Sequence, residues 1–225
     1  MNSSPKQNFI FFARFISSEY VESFVSDGLL YMNNIEHFRK IDNENIALRG
    51  DIFEGLAASY DSTKVQTFIG KHEIDGSLGQ IDIRRDSDNK INLFCLTLIT
   101  EFDLANSNYN LHLSQNFKEF GDKVVIIAAA KIPEFIRRIQ SAVELDKNII
   151  KAKSGHVEYV ARNSHQESMG VFKKYEDYAW QHEWRIAIQQ THSAGAYEQL
   201  KVGSISDICM VLDTEKLISH PITRA

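Results

Sequence analysis

The sequence predicts an α+β fold, a single domain over residues 1–225 with a mixed, mostly antiparallel sheet and a few flanking helices. Short apolar and aromatic runs typical of strands recur along the whole chain, whereas segments with helical periodicity are few. Strands and helices also fail to alternate regularly, which argues against a doubly wound parallel sheet. No stretch has the composition of a linker, and 225 residues can bury one sizeable core without metal or disulfide support.

The strands are predicted from runs of apolar, aromatic and β-branched residues. The first, Phe9 to Ile16, is almost continuously apolar, which is typical of a buried strand. The others follow in chain order at Leu29–Met32, Val65–Ile69, Gln80–Arg84, Ile91–Leu98, Lys123–Ala129, His156–Ala161, Trp184–Ile188, Gln199–Val202 and Ile208–Leu212.

The helices are predicted from their end signals. Ser18 is a candidate N-cap, and Gly28 suits the position that follows a last helical turn. Pro133 suits the first position of a helix. Helices are therefore predicted from Ser18 to Gly28, from Asn33 or Asn34 to Phe38, at Leu113–Phe120 and at Glu134–Leu145.

Composition and charge indicate the cellular compartment and the kinds of partner to expect. The net charge of −5 argues against non-specific binding of nucleic acid or membrane over the whole surface. The first residues lack the basic and apolar regions of a signal peptide, and the longest apolar run, Val124 to Ala130, has only seven residues. We expect a cytoplasmic protein with no membrane partner, whose two cysteines, Cys95 and Cys209, are buried free thiols.

Several motifs of well-known enzymes do not occur in the sequence. It contains neither of the glycine-rich phosphate loops, G-x-x-x-x-G-K-[ST] and G-x-G-x-x-G, and no G-x-S-x-G nucleophile elbow. Its eight histidines are scattered rather than placed at metal-ligand spacing. These absences exclude the readily recognised enzyme classes but leave other enzymes open.

Charge and aromatic surface are concentrated just before the strand predicted at Trp184–Ile188. Alternation along a strand puts Glu183 and Arg185 on one face and the large apolar side chains on the other, which is the natural core face. Two interpretations follow. Glu183 and Arg185 form an exposed or half-buried ion pair at the strand start, or Glu183 is a carboxylate in a cleft and Gln181 helps to orient a substrate.

The pattern Gln181-x-Glu183 before an aliphatic strand resembles the catalytic loop of mono-ADP-ribosyltransferases, which transfer ADP-ribose from NAD. The resemblance implies that Glu183 is the catalytic carboxylate and that Gln181 helps to select the acceptor. It also implies that Arg14, on the first strand, holds the ribose or phosphates of NAD. Thr97 supplies the one hydroxyl where these enzymes carry a Ser-x-Ser-like element, and Cys95 departs from that pattern. A split sheet typical of these enzymes is expected with it.

The same resemblance implies further contacts with NAD. An aromatic side chain would stack on the nicotinamide, and the candidates are Tyr31, Tyr178 and Trp180. Arg49 is a further candidate for cofactor binding. Two structural alternatives stay open: Arg49-Gly50-Asp51 is also typical of a turn, and Arg14 is equally consistent with a core arginine paired to Asp51 or Glu54.

A broader set of residues is similar to a family of uncharacterised bacterial proteins, which resembles domain-of-unknown-function families ending in a Glu-x-x-Arg or Glu-x-Arg strand. It includes Arg49-Gly50-Asp51, Glu54-Gly55, Phe172-Lys173-Lys174 and Glu183-Trp184-Arg185. Some members of such families occur near phage-defence and toxin–antitoxin genes. This resemblance implies a toxin or defence effector whose partners are a macromolecular acceptor (RNA, DNA or protein) and an antitoxin.

Two other functions remain open at this stage. Asp51 and Glu54, with a later acidic residue, could hold Mg²⁺ in a metal-dependent nuclease. Alternatively, the chain is a non-enzymatic sensor or interaction module in which the cluster around Glu183 is structural. The short basic pairs, among them Lys173-Lys174, are predicted to be solvated surface, with contact to an acceptor phosphate as the alternative.

Overall fold

A computed structural model describes residues 8–42, 51–74, 79–162, 165, 167–191 and 197–224. Arg49, a predicted cofactor-binding residue, lies outside them. The strands are β1 (Phe9–Ile16), β2 (Leu29–Asn34), β3 (Leu56–Asp61), β4 (Phe68–Ile69), β5 (His72–Glu73), β6 (Gln80–Arg84), β7 (Asn92–Thr100), β8 (Asn110–Leu111), β9 (Lys123–Ala128), β10 (Ile149–His156), β11 (Glu158–Val160), β12 (Lys173–Tyr175), β13 (Glu183–Gln190), β14 (Tyr197–Lys201), β15 (Met210–Asp213) and β16 (Ile222–Thr223). The α-helices are α1 (Val21–Val25), α2 (Ile35–Asp42), α3 (Glu101–Asn106), α4 (Ile132–Leu145) and α5 (Thr214–Ile218).

An eight-stranded antiparallel sheet organises the chain. Six strands lie side by side in the order β10-β13-β7-β1-β9-β15, and β2 joins β7 to β14. The described strands outside this sheet form small pairs, of which β11–β12 is parallel. The predicted α+β class with a mostly antiparallel sheet and few helices is therefore confirmed. None of the helices in the described part of the chain is long and apolar enough to cross a bilayer.

Strand β7 is the branch point of the sheet. On one edge it pairs with β13 from Asn92 to Thr97. On the other edge its first residues pair with β2, whereas its last residues pair with β1 from Thr97 onwards. The two partners leave a gap between them, around Cys95, where none of the described strands pairs with β7 on that edge. This gap lies across β7 from the start of β13, where the sequence places the candidate site.

Apolar side chains cover both faces of the sheet. On one face Phe12 packs against Trp184, with ring centroids 4.8 Å apart, and α4 covers this cluster. On the other face Phe15 stacks on Phe117, with centroids 4.1 Å apart, and α5 contributes Ile218. Alternation along β1 explains the division, because neighbouring residues of a strand point to opposite faces. The almost continuous apolar run that predicts β1 is thus a central strand buried on both sides.

Several predicted elements differ in the structure. The predicted helix at Leu113–Phe120 is a 3₁₀ segment, Gln115–Phe120, and the predicted strand at Val65–Ile69 is only the two residues of β4. The helix predicted from Ser18 divides into a 3₁₀ turn and the short α1. Strand β10 escapes prediction because it is a lysine-bearing edge strand that is mostly exposed, so its sequence lacks an apolar run.

Two glycines with the same backbone conformation allow the packing at the end of α1 to be tested. Gly28 and Gly70 have φ of +63° and +64°, but a Cβ on Gly28 would lie 1.8 Å from the carbonyl oxygen of Gly203, and a Cβ on Gly70 would meet nothing within 4 Å. We expect Gly70→Ala to lower the free energy of unfolding by about 1 kcal/mol through backbone strain alone. Gly28→Ala should lower the free energy of unfolding, measured in urea, by more than about 3 kcal/mol. Equal losses would contradict the described packing.

Candidate functional site

A buried charge cluster lies over the start of β13, formed by Asp51, Glu54, Lys174, Glu183 and Arg185. Arg185 is its centre. Its two Nη atoms bind the Glu54 carboxylate at 2.7 and 2.6 Å, and its Nε and Nη2 bind Glu183 at 2.8 and 3.1 Å. Nη1 also donates to the carbonyl of Val171 at 2.7 Å. The guanidinium therefore joins three segments of the chain.

Lys174 is the second cation of the cluster. Its Nζ lies 3.1 Å from Glu183 Oε2, 3.7 Å from Glu54 and 3.9 Å from Asp51, and it donates to Gln181 Oε1 at 3.0 Å. It is buried, so the prediction that Lys173-Lys174 is solvated surface is wrong for Lys174. Strand alternation explains the error, because β12 turns Lys174 towards the carboxylates and Lys173 towards Glu158.

The cluster also corrects the expected exposure of the Glu183–Arg185 pair. The sequence suggests an exposed or half-buried pair, but Glu183 is 6% exposed and Arg185 only 1%. The apolar face of β13 packs into the main core as predicted, and Glu54 and Val171 close over the opposite face. Both faces of this strand are therefore buried.

The cluster fixes the ionisation of its members. Burial opposes the charge on Glu183, but the positive charges of Arg185 and Lys174 outweigh it and hold the pKa of this carboxyl well below its usual range. Burial likewise opposes the charges of Lys174 and Arg185, yet the surrounding carboxylates raise the pKa of both. Glu183, Lys174 and Arg185 are therefore all charged at neutral pH.

Asp51 is the member whose charge is not fully compensated. Three carboxylates face two cations, so the fully ionised cluster carries one excess negative charge. Burial, together with the nearby charge of Glu54, raises the pKa of Asp51 from 3.8 to about 6, and the attraction of Lys174 only partly offsets this. The cluster is negative at neutral pH and becomes neutral when Asp51 takes up a proton.

A small pocket adjoins the cluster near the gap between β1 and β2 along β7. Its volume is about 60 Å³, and its lining includes Arg14, Cys95, Thr97, Gln181 and Glu183. Thr97 is the register partner of Glu183 across β7 and β13. A water molecule occupies about 30 Å³ in the liquid, so the pocket has room for about two, whereas drug-sized ligands occupy about 300 Å³ or more.

Aromatic rings close one side of the pocket. Phe117 and Phe120, from the 3₁₀ segment before β9, belong to its lining, and Trp180 packs against them at centroid distances of 5.1 and 5.9 Å. Sequence reasoning identified Trp180 as a stacking candidate but missed the two phenylalanines. The sequence offers little to identify these two phenylalanines as pocket residues, because their segment is predicted only as a helix.

Arg14 lines the pocket but binds the main chain of β7. Its Nη1 donates to the Cys95 carbonyl at 2.6 Å, at the gap where β7 has no strand neighbour, and its guanidinium lies 4.8 Å from the centre of the Phe94 ring. Alternation along β1 directs Arg14 to the face that carries Phe12, opposite the face that carries Glu183. Arg14 thus closes the gap in the sheet.

The remaining predicted residues lie at different distances from the pocket. Gln181 lines it, and its amide oxygen is bound by Lys174. Tyr178 borders the cluster, with its ring centre 4.9 Å from Lys174 Nζ. Tyr31 is exposed on β2 and is not among the residues that line the pocket.

Cys95 faces Glu183 from the neighbouring strand. Burial and the Glu183 carboxylate raise the pKa of the Cys95 thiol above its usual range, so the group is protonated and donates towards Glu183. Both cysteines are free, as predicted, although each is partly rather than fully buried. The thiol is a weak donor, and it completes the surroundings of the Glu183 carboxylate on the pocket side.

The carboxylates of the cluster are engaged by protein cations rather than arranged around a metal position. Asp51, Glu54 and Glu183 all lie within 4 Å of Lys174 Nζ. Among the residues that the structure describes, no three His, Cys, Asp or Glu side chains are placed to hold a metal ion. The geometry therefore gives no support to the nuclease interpretation.

Comparison with known proteins adds no assignment. No family model matches the chain, and no curated protein or solved structure is significantly similar to it. The function must be argued from the site itself.

The raised pKa of Asp51 predicts a specific dependence of stability on pH. Between about pH 4 and pH 6 the folded protein retains a proton that the unfolded chain releases, so the free energy of unfolding falls as pH rises through this window. Asp51→Asn removes this contribution, which is about 3 kcal/mol.

Urea unfolding of the parent and of Asp51→Asn at several pH values checks the prediction. The parent should lose stability relative to the variant from about pH 4 to pH 6 and then run parallel to it, while contributions from the other carboxylates cancel in the comparison. Parallel profiles over the whole range would show that Asp51 titrates normally.

Proposed function

We propose that the protein is an NAD-dependent mono-ADP-ribosyltransferase with Glu183 as its catalytic carboxylate. One observation supports this most. Arg14, Thr97 and the pair Gln181 and Glu183 come from three separate parts of the sequence, and all four residues line the same pocket, Arg14 from the opposite face of the sheet. The strands that carry Arg14, Thr97 and Glu183 are consecutive neighbours in the sheet, in the order β13-β7-β1.

The charge of the site suits the chemistry of this reaction. The bond between ribose C1′ and the nicotinamide nitrogen breaks, and nicotinamide leaves with the electron pair. Positive charge develops on the ribose until the acceptor's nucleophile forms the new bond at C1′ and releases its proton. A fixed carboxylate beside the ribose stabilises that charge electrostatically. Glu183 is ionised at neutral pH, and the excess negative charge associated with Asp51 acts in the same direction.

Glu183 retains a way to contact a ribose hydroxyl. A carboxylate offers about four lone-pair positions. Arg185 and Lys174 use three of them through Nε, Nη2 and Nζ, and the Cys95 thiol faces the carboxylate on the pocket side. Because a thiol is a weak donor, a ribose hydroxyl that replaces it gives a stronger hydrogen bond. The Thr97 hydroxyl lies opposite as a second polar group of the pocket.

Binding NAD requires the pocket to widen. A volume of about 60 Å³ holds neither a ribose nor a nicotinamide ring. The aromatic side formed by Phe117 and Phe120 belongs to the short 3₁₀ segment Gln115–Phe120, whereas the opposite side is part of the central sheet. Outward movement of this segment is the change that admits the ligand with least disturbance of the strands.

The proposed acceptor and biological role rest on the two family resemblances of the sequence, to mono-ADP-ribosyltransferases and to uncharacterised bacterial proteins. In this proposal the acceptor is a macromolecule, RNA, DNA or protein, and the chain acts in the cytoplasm as a toxin or phage-defence effector that an antitoxin restrains. The mild net charge of −5 favours an acceptor recognised by a local surface rather than by the charge of the whole protein.

A second function is supported by a different observation. Within the cluster the polar groups of Glu183 are satisfied by Arg185, Lys174 and Cys95, so the carboxylate is fully accounted for as a structural group. In this alternative the chain is a non-enzymatic interaction module, and Glu183 stabilises the fold without taking part in any reaction.

Two matched substitutions distinguish these functions. Glu183→Gln and Glu54→Gln each remove one carboxylate that binds Arg185, but only Glu183 lines the pocket. We expect Glu183→Gln to slow release of nicotinamide from NAD by about 10²- to 10³-fold, because it removes an electrostatic stabiliser of the transition state. Glu54→Gln should keep most of the activity at temperatures where it is folded.

The assay follows nicotinamide by liquid chromatography, with folding of each variant checked by circular dichroism at the assay temperature. Equal activities in the two variants would contradict a catalytic role for Glu183. The absence of both NAD binding and nicotinamide release in the parent protein, at millimolar NAD, would favour the interaction module.

A further inference from the structure

His182 lies between the two pocket residues Gln181 and Glu183 and has an unusual backbone conformation. Its φ of 43° and ψ of 52° place it in the left-handed region, where the C-cap of the 3₁₀ segment Glu176–Gln181 meets β13. A residue with a Cβ pays about 1–2 kcal/mol in this region. Surrounding contacts must therefore hold the turn.

The polar groups of His182 supply such contacts. Its Nδ1 lies 3.2 Å from Asp103 Oδ1. Its peptide N–H donates to the carbonyl of Ala179 at 3.1 Å, and its own carbonyl accepts from the N–H of Leu98 at 2.7 Å. The side chain is thus bound to α3, and the main chain is bound to β7.

Asp103 is itself held in place. Its Oδ2 accepts from the hydroxyl and the N–H of Thr100, at 2.5 and 2.8 Å, in the capping box that begins α3. Burial opposes ionisation of Asp103, but hydrogen bonds from His182 and Thr100 lower its pKa. The carboxylate is therefore a charged and immobile partner for the imidazole.

The turn is held from two directions. On the pocket side Lys174 binds Gln181 at 3.0 Å and Glu183 at 3.1 Å. On the other side Asp103 binds the residue between them. His182 is not among the residues that line the pocket, and its side chain is directed to Asp103. It can act on the pocket only through its two neighbours.

We propose that His182 and Asp103 form a positioning clamp that fixes the side chains of Gln181 and Glu183 in the pocket. The clamp deepens the proposed transferase function, and only its kinetic consequence rests on that function. His182 is a positioning residue, and its imidazole makes no contact with a substrate.

Two substitutions separate the clamp from the backbone turn. Asparagine tolerates the left-handed region and offers an amide N–H to Asp103, whereas glycine adopts the region freely but has no side chain. If the clamp positions the site, His182→Asn preserves the pocket and His182→Gly does not. If the backbone turn alone matters, His182→Gly preserves the pocket at least as well as His182→Asn.

The first measurement needs no NAD. The side-chain amide signal of Gln181 in two-dimensional ¹H–¹⁵N NMR spectra, assigned by its loss in Gln181→Glu, should stay a single sharp signal in His182→Asn and broaden in His182→Gly. Both variants lack the imidazole ring, so the comparison between them removes the direct effect of the ring on the signal. The side-chain signal of Gln140 on α4 serves as the internal control. A Gln181 signal as sharp in His182→Gly as in His182→Asn would overturn the clamp, whatever the function of the protein.

The second measurement is kinetic. In His182→Gly we expect kcat for nicotinamide release to fall about 100-fold, as a displacement near 1 Å can cause, with KM for NAD changed less than about threefold. His182→Asn should recover most of kcat. A loss of kcat in both variants would overturn the clamp, because it would mean that the imidazole itself is required. Broadening of the Gln181 signal in His182→Gly but not in His182→Asn, in a protein with no NAD turnover, would uphold the clamp and reject the transferase proposal.

Discussion

The guanidinium of Arg185 binds Glu54 and Glu183, two carboxylates that the chain brings together from positions 131 residues and two residues away. A buried arginine is tolerated only when its donors are satisfied, and removal of one partner from such a cluster typically costs about 3–5 kcal/mol. The contact therefore obliges the segment with Asp51 and Glu54 to close over β13. Closure in turn buries Lys174, which orients Gln181.

Electrostatics in the site follow from this arrangement. The cations keep Glu183 ionised inside a protein interior that would otherwise favour the neutral acid. Because three carboxylates face two cations, the excess charge falls on Asp51, whose pKa of about 6 lies within the physiological range. The same cluster thus provides a permanent negative charge beside the pocket and a second charge that depends on pH.

The sequence was sufficient for the parts of the fold that depend on apolar patterns. The run from Phe9 to Ile16 predicts β1, and the alternation after Glu183 identifies the core face of β13 correctly. It was insufficient for β10, an exposed edge strand, and for Lys174, whose burial depends on partners far away in the sequence. Short-range patterns show which residues carry charge, but only the tertiary fold shows which charges meet.

The candidate site was predictable to a similar extent. The motif residues Thr97, Gln181 and Glu183 do meet in one pocket, and Arg14 lines it as well, but its guanidinium closes a gap in the sheet by binding the Cys95 carbonyl. The branching of the sheet at β7 creates that gap, and no local pattern in the sequence reports it. Phe117 and Phe120 reach the pocket through tertiary packing of their 3₁₀ segment against the sheet, and no sequence motif reports this packing either.

The response of the Gln181 side-chain amide to NAD tests the central claim, that the pocket beside Glu183 binds NAD. Gln181 lines this pocket, and Gln140 on α4 does not, so the second amide is an internal control in the same molecule. Two-dimensional ¹H–¹⁵N NMR spectra recorded during a titration with NAD follow both side-chain signals. The account predicts that millimolar NAD shifts the Gln181 signal and leaves the Gln140 signal unchanged. A Gln181 signal that stays unchanged at millimolar NAD would contradict it.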